Sequence, residues 1–346
     1  MSSRPPLPQR KPGVCYALTD EGVELPVIDV THPAFRLDLS AGDLAQRLKD
    51  HVRMMRRRER LPAFLGRLLM RLASRRSALI RGILGAEGGF LSGMNTYLMK
   101  LGPANLVPGF SSRVDRQVAD SFPAVAARIR LQEAARRLAL GLAPALAARR
   151  GPLHFVNIAG GPASDSLNAL ILLRSAHPEW LEGRRIHIHV LDLHRDAPRF
   201  GARALAALCA EGGPLSGLTV AFGQRDYDWS DTRVLRELLA GLEPDSVVVG
   251  SSEGGLFNYG SDQAIRANLV ALREATPADF VMVGSLSWDT PRARRFRRFS
   301  QIAVRDFTRE AFESLADEAG WALEQGIHSP TRQVVCLVKR PDQSSQ

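Results

Sequence analysis

A chain of 346 residues with 45% hydrophobic content is long enough for one large domain or two of ordinary size, which excludes a disordered or fibrous protein. The formal net charge of +10 suits an anionic partner such as nucleic acid, an anionic membrane or an acidic substrate. No apolar run approaches the roughly 18 to 20 residues of a membrane-spanning helix, and "MSSRPPLPQRKPG" lacks the apolar centre of a secretory signal, so the chain reads as cytoplasmic.

Residues 1–38 are rich in proline and aperiodic; they predict an extended, flexible arm with a short strand at "ELPVIDV". Residues 39–150 read as a helical domain. Ser40 with Asp43 three residues on resembles a capping box, and Pro62 fits the first turn of a following helix. In that helix Leu61, Phe64, Leu65, Leu68, Leu69 and Leu72 line one face, with arginines on the other. From Arg53 to Arg81 there are ten arginines and one glutamate, so the basicity is concentrated here. Such a run is often a solvated face. RNA or DNA binding would need stacking aromatics among the charges, whereas a basic amphipathic helix at an anionic membrane surface fits the pattern better. The Gly-broken "GGFLSGMNTYLMKLGPANL" suits either a lid over a small molecule or ordinary helical packing. A long helix over about 114–148 then ends at Gly151-Pro152, which marks the domain boundary.

Beyond 151 the texture becomes β-α alternation. Apolar runs at 153–159, 186–192, 218–222, 246–250, 279–285 and 333–339 alternate with helical stretches at about 165–176, 198–210, 231–240, 261–275 and 308–319. This predicts an α/β, doubly wound, mainly parallel sheet preceded by the α-helical region, with ligands bound beyond the carboxyl ends of the strands. Cys15, Cys209 and Cys336 stand far apart with no C-x-x-C pair, so neither a disulfide framework nor a zinc knuckle is predicted. His187 and His189 share one strand face and read as buried or paired residues, with no metal site assigned.

The strand ends carry the chemistry. "NIAGGPAS" closes the first strand with Gly160 and Gly161, where the backbone turns and a ligand meets no Cβ. The second strand ends in Asp192, placed to accept from ribose hydroxyls, and the third in Asp226, placed for an adenine amine. The fourth opens into Ser251, Ser252, Glu253, Asn258 and Tyr259. A nicotinamide dehydrogenase fits less well, because "AGGPAS" is not G-x-G-x-x-G and Asp192 lies farther on than roughly 20 residues; a P-loop is excluded by the missing G-K-[ST].

This series of strand tips resembles the class I (Rossmann-like) S-adenosylmethionine-dependent methyltransferases, over about 151–341. "TREAFESLADEAGWALEQGIHSPTRQVVCLVKR" resembles that family's last helix, Gly-Trp turn and closing strand pair, whose final strand is antiparallel. The resemblance implies S-adenosylmethionine as cofactor, bound by Asn157, Ala159, Gly160 and Gly161 around the methionine portion, Asp192 and Leu193 at the ribose, Asp226 and Tyr227 at the adenine, and Ser251, whose loop also helps form the acceptor site. Asn157 stands where the family has an acid, and Ala159 and Ala163 where it has glycines; alanine serves there if its φ is negative. Candidate bases are Glu253 and His328, with Tyr259 and Asn258 as orienting groups. The implied activity is methylation of a small molecule, a specialised metabolite, with oxygen slightly preferred. The alternatives are an RNA methyltransferase using the arginine-rich helices and a non-catalytic cofactor-binding or regulatory module. A second basic run, "PRARRFRRF", suits an acidic substrate or a plain surface, and a homodimer is left open.

Overall fold

The computed structural model describes residues 10–60, 62–85, 91–290, 294, 304–324 and 333–341. His328 and most of the second basic run lie outside the described residues.

The N-terminal arm is built into the molecule. Strands β1 (Tyr16–Leu18) and β2 (Glu24–Pro26) form an antiparallel hairpin, the second within the stretch predicted to be a strand. Leu25, Val27, Ile28, Val30 and Phe35 are buried, which contrasts with the flexible arm predicted from composition. Two polar side chains pin the segment after the hairpin. Tyr97 Oη accepts from Ile28 N–H (3.1 Å) and donates to Pro26 O (2.8 Å), while Asn168 Oδ1 accepts from Val30 N–H (2.8 Å) and its Nδ2 donates to Ile28 O (2.9 Å). Both backbone groups of Ile28 thus find partners far away in sequence, which lets an irregular segment be buried.

Six helices follow: α1 (Ala41–Glu59), α2 (Ala63–Arg76), α3 (Ala78–Leu84), α4 (Gly93–Leu101), α5 (Arg113–Ala119) and α6 (Phe122–Ala148). The capping box at the start of α1 is formed: Ser40 Oγ accepts from Asp43 N–H and the Asp43 carboxylate accepts from Ser40 N–H, both at 3.1 Å. The long helix predicted over 114–148 is two, because Asp120 caps α5 and Pro123 occupies the first turn of α6.

The remainder alternates as predicted: β3 (Leu153–Ile158), α7 (Ser164–Ala176), β4 (Ile186–Asp192), α8 (Asp196–Cys209), β5 (Val220–Asp226), α9 (Arg233–Ala240), β6 (Val247–Ser252), α10 (Leu256–Tyr259), α11 (Asp262–Ala275) and β7 (Val281–Ser285). A two-residue parallel ladder, β8 (Ser287–Trp288) with β9 (Asp306–Phe307), precedes α12 (Arg309–Glu318), β10 (Trp321–Leu323) and β11 (Val334–Lys339). The seven strands of the main sheet lie in the order β10-β11-β7-β6-β3-β4-β5, with β11 antiparallel to both neighbours. Every residue of the central β3 and β6 is buried, as continuous apolar runs require of parallel strands covered on both faces. The order reverses between β3 and β6, and the carboxyl ends of these strands are where open sheets of this kind bind ligands.

One face of the sheet packs on α6, α7 and α8, and its core joins Leu25 and Val27 of the arm to Leu131 and Leu138 of α6 and Phe155 of β3. The other face packs on α9, α11 and α12 through Leu239, Leu269, Phe312 and Trp321. The boundary at 151 therefore separates two textures of sequence but no two cores. Among the described residues, no helix is long and apolar enough to cross a membrane.

Candidate functional site

Residues 159–163 carry the chain from β3 to α7. Ala159, Gly161 and Ala163 have φ values of 53°, 58° and 52°, all in the left-handed region. The condition under which alanine serves without cost, a negative φ, is thus not met; each alanine costs roughly 1–2 kcal/mol for a conformation that glycine adopts freely. Hydrogen bonds hold them there, Ala159 N–H to Leu191 O (2.7 Å) and Ala163 N–H to Gly160 O (3.2 Å). The missing Cβ atoms serve the chain itself: a Cβ on Gly160 would fall 2.0 Å from Asn157 Oδ1, and one on Gly161 would fall 3.1 Å from the Cα of Gly93, at the start of α4.

Beneath this turn lies a buried polar cluster. Asn157, fully buried at the end of β3, donates through Nδ2 to Asp165 Oδ1 (2.8 Å) and Ser251 Oγ (2.9 Å). Asp165 is 1% exposed in the first turn of α7, and its Oδ1 also accepts from Ser166 N–H (2.8 Å). Two acceptors are left over: among the described residues, the buried Asn157 Oδ1 and Asp165 Oδ2 have no hydrogen-bond partner. Burial, and then the negative charge of Glu253, push the Asp165 carboxyl up to about 6, against the Ser166 N–H, the Ser251 hydroxyl and Lys100. An orphaned acceptor in a native interior is costly and calls for a donor. Sequence reasoning missed Asp165, whose place in a helical first turn reads as ordinary dipole compensation.

Asp192 ends β4 beside the turn and is 8% exposed. Its Oδ2 accepts from Gly161 N–H (3.1 Å) and its Oδ1 from His194 N–H (2.9 Å), while burial raises its pKa. Each oxygen keeps a second lone-pair direction. Next to it Leu193 is 65% exposed, an apolar side chain just past the end of β4. Asp226 faces Asp192 across the β4–β5 ladder but is exposed and held by Arg195 in a bidentate pair, Nε to Oδ1 at 2.9 Å. An adenine amine would therefore share this carboxylate with Arg195, each oxygen keeping a second lone-pair direction. The Tyr227 side chain is core: it is 3% exposed and its hydroxyl donates to Asn268 Oδ1 at 2.5 Å, which leaves only its backbone to meet a cofactor.

At the tip of β6 the buried Ser251 joins the polar cluster and Ser252 Oγ caps Leu256 N–H at 2.8 Å. Glu253 has a different role from the one predicted. It is buried and ion-paired to Lys100 of α4 and to Arg130 of α6, the latter at 2.6 Å. Burial alone would raise its pKa, but the two cations bring it down to about 2. A carboxylate so stabilised is a poor proton acceptor, and the geometry corrects its reading as a general base to that of a clamp between the sheet and the N-terminal helices. Burial raises the Tyr259 phenol, with Arg130 and the backbone of Leu91 acting in the opposite sense, which leaves it a donor at neutral pH. His154, His187 and His189 stack, and among the described residues no cluster has metal-binding geometry.

The strand order, the reversal between β3 and β6 and the antiparallel closing strand define a class I, Rossmann-like methyltransferase fold. No protein-family profile matches the chain, and no curated protein does. Among solved structures, magnesium protoporphyrin IX methyltransferase (ChlM) from Synechocystis PCC 6803 with bound SAH is 13% identical and aligns over 63% of this chain and 88% of its own, at a TM-score of 0.43. A possible exported protein from Bordetella parapertussis is 16% identical, over 86% of this chain and 97% of its own, at 0.49. LepI in complex with SAH and a substrate analogue is 17% identical over 55% of this chain, at 0.35, and the match spans 43% of LepI.

Proposed function

We propose that this chain is an S-adenosylmethionine-dependent methyltransferase that acts on a small-molecule acceptor, preferentially at oxygen. The observation that carries the reading is the pair of buried acceptors without a partner among the described residues, Asn157 Oδ1 and Asp165 Oδ2, on either side of the glycine turn whose Gly161 N–H is bonded to Asp192. These acceptors suit an ammonium group, Asp192 suits ribose hydroxyls, and the exposed Leu193 suits the flat face of a base. In this assignment Asp165 supplies from the helix the negative charge that Asn157 lacks. Asp226 would share its carboxylate between an adenine amine and Arg195.

When bound, the cofactor supplies an electrophilic methyl group. The chain's own contribution is placement: Glu253 fixes α4 and α6 against the β6 tip, which shapes the acceptor side and excludes water, and in-line positioning supplies much of such a rate. Tyr259 is suited to orient an acceptor by donating a hydrogen bond. A general base is not assigned to Glu253, and an acceptor that is itself a good nucleophile needs none.

The test is calorimetric titration of the wild type and an Asp192→Ala variant with S-adenosylmethionine and S-adenosylhomocysteine. Micromolar-range binding by the wild type that disappears in the variant supports the reading. A wild type that binds neither compound refutes it and favours a non-catalytic module.

A further inference from the structure

The amphipathic pattern of α2 predicts an apolar face but does not say what covers it. The structure leaves that face bare. Phe64 is 71% exposed, Leu68 49%, Leu69 48% and Leu72 47%, whereas the helix packs chiefly on α3, its neighbour in sequence. At about 100° per residue these four side chains span an arc of about 140°.

The charges around this stripe are also unspent. Arg71, Arg75 and Arg76 of α2 and Arg56, Arg57 and Arg60 at the preceding turn are exposed, and among the described residues they form no ion pair. The ten arginines and one glutamate of residues 53–81 contribute +9, nearly the whole net charge of +10. Arg71 flanks the stripe, and Arg75 and Arg76 lie at its C-terminal end, where long stems reach past apolar surface.

We propose that α2 docks in the plane of an anionic lipid bilayer, with Phe64, Leu68, Leu69 and Leu72 in the acyl boundary and the arginines on the headgroup phosphates. An interfacial helix needs this combination of a broad apolar arc and a cationic flank. A second copy of the chain is a poor occupant, because a symmetric contact would bring the same unpaired arginines together. Single-stranded nucleic acid would use the arginines but has no series of aromatic rings to stack on; Phe64 is the one aromatic of α2. The inference stands apart from the methyltransferase reading, although the two sites are connected. α3 packs on α4 so closely that a Cβ on Gly82 would fall 2.2 Å from Asn95 Oδ1, and α4 begins against the glycine turn at Gly161.

The experiment is co-sedimentation of the full chain with phosphatidylcholine vesicles, with and without phosphatidylserine, at low and high salt. The wild type is compared with Leu68→Glu/Leu72→Glu and with Arg71→Ser/Arg75→Ser/Arg76→Ser. The wild type is expected to sediment with the anionic vesicles only, to lose binding steeply with salt, and to bind about tenfold or more better than either variant. Since the altered side chains are exposed, thermal melting of both variants should match the wild type. The proposal is overturned if the wild type ignores anionic vesicles, or binds neutral ones equally well. It is also overturned if the leucine variant binds anionic vesicles undiminished while both proteins bind single-stranded RNA, which would mark a nucleic-acid surface. A lower melting temperature for the leucine variant, or a wild-type dimer that this variant loses in sedimentation velocity, would place the stripe in a protein contact and equally overturn it.

Discussion

Replacing Asp165 by Asn should stabilise the protein and cripple the site at once. The carboxyl group is raised from 3.8 to about 6 in the fold, chiefly by burial. At about 1.4 kcal/mol per pH unit, keeping it ionised at pH 7 costs about 3 kcal/mol of folding stability. The sign follows from proton binding: between about 4 and 6 the native state holds a proton that the unfolded chain has released, so the stability of the wild type falls as pH rises through that window. The amide of the variant has no charge to desolvate, and its oxygen can still accept from Asn157 Nδ2 and Ser166 N–H. At roughly 2–4 °C per kcal/mol, and less for a longer chain, the melting temperature at pH 7 should rise by several degrees, and the gain should vanish near pH 4. Thermal melts of both proteins from pH 4 to 8 measure this, with S-adenosylhomocysteine titration as the second readout, expected to weaken at least tenfold. A variant less stable than the wild type at pH 7, with unchanged cofactor affinity, would refute the reasoning, since Asp165 would then be structural.

Other expectations follow from the same contacts. Glu253→Gln leaves Lys100 and Arg130 facing a neutral amide, and breaking a buried pair costs about 3–5 kcal/mol; chemical denaturation should show a loss of that order, and a change below about 1 kcal/mol would mean that the clamp is not holding the helices. Ala159→Gly, at φ 53°, should stabilise by up to about 1 kcal/mol as left-handed strain is relieved against the added chain entropy, measurable as a higher denaturation midpoint. Burial, with His154 and His187 adjacent, lowers His189 to about 4, so the native state binds fewer protons than the unfolded chain between about 4 and 6.5 and stability should fall as pH drops through that window; His189→Gln should flatten the dependence. This slope is opposite in sign to that of Asp165, and the comparison of Asp165→Asn with wild type cancels it.

The alternation of apolar runs and helical stretches was enough to place β3, β4, β6, β7 and β11 within about two residues, because central parallel strands must be apolar throughout, whereas the more exposed β5 runs four residues past its predicted end and β10 has no run of its own. It was silent on the arm. The burial of Leu25, Val27 and Ile28 depends on hydrogen bonds to Tyr97 and Asn168, partners with no local signature. The strand-tip acids were legible as positions and less so as roles. Asp192 stands where expected, whereas the engagement of Asp226 by Arg195 joins residues 31 apart in sequence. Glu253 could not be told from a base without knowing that Lys100 and Arg130, more than a hundred residues upstream, converge on it. On α2 the period identified an apolar stripe, and only packing could reveal that it stays uncovered.

The shared core of the arm, α6 and β3 has a consequence for synthesis of the chain. Residues 10–148 leave the ribosome first, yet Leu25, Val27, Leu131 and Leu138 have their packing partners on strands and helices still to be translated. The part of that core contributed by β3 and α7 can close only after they emerge, through native contacts across long sequence separations, which slow folding. The abundance of cationic side chains in the early segment keeps it self-repelling, and so protects it from aggregation during the interval when it is most exposed.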